Sequence, residues 1–159
     1  KSAIGIFGLH ILGKKDITDV FLTHLHFDHV GGAVSKIDDV YLPTFPNAIC
    51  WSNKTHYEWA TNPNPKEKAS VLKENILPLK EHNVLKFVNE KEGSEFIPGV
   101  TMHFVDGHTK SMIYLKIKVG SQTFVYCADL IPSSHHVSLP YIMSYDVNPM
   151  ATLVVPLVV

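Results

Sequence analysis

The stretch that most constrains this chain runs from Asp16 to Gly32, DITDVFLTHLHFDHVGG. Val20, Phe21 and Leu22 form a short, continuously apolar run, the pattern of a strand buried on both of its faces. Three histidines and an aspartate follow within six positions, with Leu25 and Phe27 in the gaps. In an extended backbone successive side chains alternate faces, so His24 and His26 point one way while Leu25 and Phe27 pack against the protein. Asp28 and His29 fall where the strand turns into a loop. Gly31 and Gly32 let the backbone bend sharply before a following helix. A tight turn at the C-terminal edge of a buried strand then presents four polar side chains to one point. With ten histidines in the chain, this spacing arises by coincidence with a probability of ~10⁻³.

Neutral imidazole nitrogens beside carboxylate oxygens suit a borderline cation such as zinc, and also iron, manganese or cobalt. Two later positions add to the set. FVDGHTK presents His108 after Gly107, and FVYCADL presents Asp129 after Cys127 and Ala128, both at the ends of apolar runs. Alone each is ordinary turn chemistry. Beside the first motif they are candidate ligands.

Around these motifs the chain reads as mixed α and β. Ile4, Phe7, His10 and Ile11 share one face of a helix over 3–13 that closes at Gly13. NAICWSN reads as a strand, and NKTHYEWATNPNPKEKASVLKENILPL as two helical pieces broken at Pro63 and Pro65. From Val84 the runs VLKFV, GVTMHFV, SMIYLKIKVG and TFVYCA are strands, the last two joined by a hairpin turn at Gly120-Ser121. No repeat or low-complexity tract divides residues 1–159, and 45% apolar residues supply a core, so one domain is expected.

The formal net charge of −1, with no block of either sign, argues against nucleic acid and anionic membranes as partners. A small-molecule substrate is expected instead, with the oligomeric state open. No stretch is long enough to span a bilayer. The apolar start AIGIFGLHIL lacks a basic leader, and both a cytoplasmic and an exported location stay open. Cys50 and Cys127 lie far apart, outside any C-x-x-C pattern, and read as small buried residues. The C-terminal MATLVVPLVV stops within an apolar run, which points to an incomplete chain.

The arrangement H-x-H-x-D-H at His24, His26, Asp28 and His29, followed in order by Gly107-His108 and Asp129, resembles the metallo-β-lactamase superfamily. The long step from His29 to His108 and the short one to Asp129 are most similar to the branch of methyl parathion hydrolase and the quorum-quenching lactonases. The resemblance implies an αββα sandwich, here without its N-terminal strands and a C-terminal portion. It implies two divalent metal ions, zinc foremost. His24, His26 and His108 would hold one, Asp28 and His29 the other, and Asp129 would bridge them. The implied reaction is hydrolysis of an ester, lactone or phosphoester by hydroxide generated between the cations, with Asp28 orienting the water or moving its proton. Asp28 and Asp129 are thus the candidate catalytic carboxylates, and no Ser or Cys nucleophile is needed. The family's early Asp and its last histidine ligand have no counterpart in this sequence.

Three alternatives stand beside this reading. A glyoxalase-like thioesterase uses the same chemistry. An iron-dependent redox enzyme uses the same fold, although that branch carries Glu where this chain has His26. A metal-binding scaffold without activity is the non-enzymatic option. Of the remaining histidines, His136, with its neighbour His135, follows Asp129 closely enough to face the cleft as a substrate-binding residue. His103 reads as a strand residue, and His56 and His82 as surface or helix-end residues. Trp51, Trp59, Tyr141 and Tyr145 would serve as pocket walls or as core.

Overall fold

The computed structural model describes residues 12–138 and 141–155. The helix expected over 3–13 therefore lies almost wholly outside the described residues. At its end, Gly13 opens a single 3-10 turn over Lys14–Asp16, where the Asp16 carboxylate accepts the Gly13 N–H at 2.8 Å.

β1 (Asp19–Phe21) leads into the histidine motif, which ends in a one-turn helix, α1 (Phe27–Val30). Next come β2 (Val34–Ile37), β3 (Val40–Pro43) and β4 (Ile49–Ser52). The helices α2 (Lys54–Thr61) and α3 (Lys73–Glu81) follow. Then β5 (Leu85–Phe87), β6 (Glu95–Ile97), β7 (Val100–Val105), β8 (Met112–Val119) and β9 (Gln122–Tyr126) run in succession, and α4 (Pro149–Leu153) closes the described chain.

Three parallel strands form the first sheet in the order β1-β4-β5, with Val20 opposite Cys50 and Cys50 opposite Leu85. The second sheet is the antiparallel meander β6-β7-β8-β9. Its β8–β9 hairpin turns at Gly120, whose φ of +61° favours glycine, and there the sequence expectation is met. The apolar run of β1 explains how the sheets stack. Val20 and Leu22 join a core built with Tyr57 and Ala60 of α2 and Ile76 and Leu79 of α3. Phe21, between them, faces the other way into the core of Val100, Met102, Ile113 and Leu115. Its ring meets Phe96 edge-on at 5.0 Å. A third cluster, Val105, Met112, Tyr114 and Leu130, covers the far side of β8. The layers are thus helices, sheet, sheet and an outer covering around Leu130, in keeping with the two-sheet sandwich that the resemblance implied.

The two sheets meet directly beneath the histidines. Leu22 N–H extends the pairing of β1 onto Trp51 C=O at 2.8 Å, and Ile113 N–H of β8 donates to Thr23 C=O at 2.9 Å. His24 therefore begins where both sheets are tied together.

Two local expectations are corrected. Gly32 is followed by the β2–β3 hairpin and not by a helix. Val34, Ile37 and Val40 are β-branched, and Asp38 and Asp39 accept positive φ (47° and 63°) at the tip, the conformation a two-residue hairpin loop requires. Gly31 itself sits at φ −56°, an ordinary helical value. Phe27 does not pack inward: because α1 starts there, the backbone turns and its ring is 49% exposed, whereas Leu25 is fully buried.

Candidate metal centre

His24 is fully buried, and His26 and His108 are nearly so. Nδ1 of His24 lies 3.2 Å from Thr23 Oγ1, while Nε2 has no hydrogen-bond partner among the described residues. His26 turns Nδ1 toward Nε2 of His108 at 3.0 Å, and each of the three residues offers one nitrogen within 4.8 Å of the others. A second set is formed by His24, His29 and Asp129 under the same limit. Asp129 connects the two sets. One carboxylate oxygen lies 3.2 Å from His29 Nε2 and the other 3.3 Å from His108 Nε2. Asp28 stands outside both sets, its side chain 57% exposed and 3.5 Å from His29 Nε2.

The protonation behaviour follows burial. Desolvation pushes His24 well below its ordinary value, and the neighbouring His29, His26 and His108 rings act in the same direction. His108 is likewise lowered, by burial first and by His26 next. His29 is raised, because its hydrogen bond to Asp129 outweighs a partial burial. Asp129 is lowered by that same bond. His24 and His108 are thus held neutral, the form in which imidazole nitrogen carries a free lone pair.

The set fits a cation. A buried nitrogen without a partner is a cost that folding rarely leaves uncompensated, and here it belongs to a ring gathered with two others. Tetrahedral zinc with bonds of about 2.0–2.1 Å holds its nitrogens about 3.4 Å apart. The 3.0 Å approach of His26 and His108 is close to that spacing.

Local structure explains how the side chains arrive. His26 caps α1 in an extended conformation, so the rings of His24 and His26 converge, and α1 then brings His29 beside His24 with ring centroids 4.0 Å apart while Asp28 stays largely exposed. Gly107 is required for close approach: a Cβ there would meet Thr152 Oγ1 at 2.0 Å and the Thr152 backbone at 3.0 Å. The backbone carbonyls of Gly107 and His108 accept from Asn148 and Val147 (2.9 and 3.1 Å), which seats α4 against the second motif. Asp129 lies in a 3-10 turn after Ala128, a non-glycine residue at φ 47°. Such strain persists only where surrounding structure imposes it.

Three supporting residues were not legible in the sequence. His56, expected at the surface or a helix end, is buried. Its Nε2 accepts the Leu25 N–H at 2.8 Å and its Nδ1–H donates to Lys110 C=O at 2.6 Å, joining the two histidine motifs. Asn53, the N-cap of α2, accepts the His56 N–H, and this N-cap at three-residue spacing was the only local hint. Glu67, 3% exposed, accepts from His26 Nε2–H at 3.3 Å and from Thr109 Oγ1 at 2.5 Å. Burial alone would raise its pKa, yet the hydrogen bonds from His26, Thr109 and Trp59 hold it at about 2. Asp146, 1% exposed, faces His108 Nδ1 at 3.4 Å and accepts from Thr152 Oγ1 at 2.6 Å. The sequence reading singled out neither acid.

The other candidates are placed elsewhere. His136 joins neither ligand set and shares a 2.8 Å contact with Ser133 Oγ, while His135 is exposed. His103 lies in β7, stacked on Tyr114. His82 caps the end of α3. Trp51 packs on Phe96 and donates to Asp19, and Tyr141 and Tyr145 are exposed. Among the described residues no helix is long and apolar enough to cross a membrane.

Comparison with known proteins agrees with this geometry. No curated protein matches the sequence. Among solved structures, a probable metal-dependent hydrolase from Staphylococcus aureus superposes with a TM-score of 0.79 at 26% identity, covering 90% of this chain and 49% of that one. AidC, a dizinc quorum-quenching lactonase in complex with a product, gives 0.73 at 25% identity, over 89% and 52%. A quorum-quenching N-acyl homoserine lactone lactonase gives 0.64 at 25%, over 88% and 50%. The present chain spans about half the length of these proteins. The profile of the metallo-beta-lactamase superfamily matches residues 6–154, a range that takes in every residue of both ligand sets, and the chain belongs to that superfamily.

Proposed function

We propose that this chain carries the metal-binding residues of a hydrolase that cleaves an ester, lactone or phosphoester, with a lactone as the first substrate class to test. The observation that carries the reading is the unpartnered, buried Nε2 of His24, gathered with His26 Nδ1 and His108 Nε2. His24, His26 and His108 hold one divalent cation in this reading, and Asp28 and His29 hold a second, with Asp129 between them. Zinc is the first candidate for both, because imidazole and carboxylate ligands match its preference. Bound cations supply Lewis-acid polarisation and an acidified water.

The chain's own residues do the rest. Asp129 reaches both sets with its two oxygens, so it keeps them in fixed register. Asp28, the most exposed of the six, is free to accept a hydrogen bond from water or to take up its proton. The buried rings exclude solvent from one side and leave the Asp28 side for a small-molecule substrate. Two of the similar solved proteins are quorum-quenching lactonases, which is why lactones come first.

Elemental analysis of protein purified without added metal tests the core of the reading. About two metal ions per chain is the expected result, and none even after zinc addition overturns it. A parallel assay on a lactone, an aryl ester, a phosphotriester and a glutathione thioester then assigns the reaction. Turnover confined to the thioester would replace the proposal with a glyoxalase-like one, and stoichiometric metal with no turnover would favour a scaffold.

A further inference from the structure

Glu67 belongs to no expected ligand set, yet it is one of the most completely hydrogen-bonded side chains near the cluster. It sits in the turn between α2 and α3, 3% exposed. Oε1 accepts from Thr109 Oγ1 at 2.5 Å and from His26 Nε2–H at 3.3 Å. Oε2 accepts from Trp59 Nε1 at 2.7 Å and from Asn64 Nδ2 at 2.6 Å. Four donors on two oxygens occupy the carboxylate's acceptor positions in the plane. Glu67 is therefore built to receive hydrogen bonds and not to bind a cation itself. Consistent with this, it is absent from both groups of converging ligand atoms.

We propose that Glu67 is a positioning residue that sets the tautomer and orientation of His26, so that Nδ1 carries the free lone pair directed at the cation. The inference rests on the metal reading above. An imidazole has one proton to share between two nitrogens, and a carboxylate at Nε2 claims it. Nδ1, 3.0 Å from His108 Nε2, is then the nitrogen left bare. Thr109 gives the same oxygen a second task. It follows His108 directly, so one carboxylate oxygen ties the segment carrying His26 to the segment carrying His108, positions 82 apart in the chain. Trp59 and Asn64 hold the other oxygen and prevent the carboxylate from swinging away. Carboxylates behind metal-binding histidines act in this way generally, fixing the ring and raising its basicity.

The change Glu67→Gln keeps the shape but places an NH₂ where the carboxylate accepted hydrogen bonds. Either it faces Trp59 and Asn64, both donors, or it faces His26 and forces the proton onto Nδ1. Two readouts follow. Nitrogen NMR of the metal-free protein reports the His26 tautomer: a single Nε2–H form in the parent chain, and its loss in Glu67→Gln. Zinc affinity by chelator competition falls about 10–100-fold in the variant. Trp59→Phe retains the ring volume and removes one donor from Glu67, and should weaken zinc about threefold; it carries the test if Glu67→Gln does not fold. Glu90→Gln removes a carboxylate bonded to Thr55, remote from Glu67, and should change neither readout. Unchanged tautomer and unchanged affinity in both Glu67→Gln and Trp59→Phe overturn the inference. A parent chain that binds no zinc overturns instead the metal reading on which it rests.

Discussion

The two ligand sets share His24 but are built differently. Around His26 and His108 the rings are buried, and each exposes its second nitrogen to a buried carboxylate, Glu67 or Asp146. Around His29 the support is thinner. Asp129 is only partly covered, Asp28 is largely exposed, and among the described residues no buried carboxylate backs either. The difference teaches which part of the centre is preorganised by the fold. The deep set is held by both sheets, α2, the turn after it and α4, so its geometry is paid for by folding and stands ready before any cation arrives. The shallow set depends on one short helix and one strained turn.

This contrast is open to experiment. The largest effect is expected from His24→Ala, since His24 is a ligand of the first cation in the proposed site and its ring also lies against His29 of the second group. Metal content should fall below one ion per chain, and retention of two ions would break the shared-residue picture.

Acid should destabilise the deep region, in part through His56. Burial drives its pKa from 6.5 down to about 4. Because the folded value lies below the unfolded one, the unfolded chain binds the proton first as pH drops. Stability is therefore intact above pH ~6.5 and is lost progressively toward pH ~4, by up to about 3 kcal/mol. Urea midpoints of the metal-free protein across this range should show the fall. His56→Gln, which retains an acceptor for Leu25 N–H without a titrating ring, should reduce it and leave the part contributed by the lowered His24 and His108.

Gly107→Ala presses a methyl group onto Thr152, itself bonded to Asp146. A loss of about 2 kcal/mol is expected in denaturant unfolding, with zinc binding at the deep set weakened alongside. The smallest effect belongs to Asp28→Asn. At so exposed a position stability should move by less than about 0.5 kcal/mol, while the second metal ion is lost more easily than the first. Equal weakening of both ions, followed by chelator titration, would remove the distinction between a deep and a shallow set.

The sequence reading went furthest where function is written in contiguous residues. Val20, Phe21 and Leu22 announced a strand with two buried faces, and the structure places Phe21 in one core and its neighbours in another. His24, His26, Asp28, His29, His108 and Asp129 were proposed as ligands from motif, spacing and family resemblance; all but Asp28 fall in the two converging groups. The hairpin at Asp38-Asp39 was missed, since two aspartates at positive φ look like solvated charge until the strands on either side are paired. Glu67, Asp146 and His56 were missed for a different reason. Each makes its decisive contact with a residue far along the chain, His26, His108 and Lys110, and nothing in its immediate neighbours marks it as buried.

What the sequence determined alone is the inventory: which side chains can bind a cation, in what order, and at the end of which buried strand. Hydrophobic periodicity and motif spacing are local, so they survive being read in one dimension. Only the tertiary structure decided which ring nitrogen each histidine presents and which carboxylate stands behind it. Those choices depend on hydrogen bonds between segments that meet only when two sheets and the turns around them close over His24.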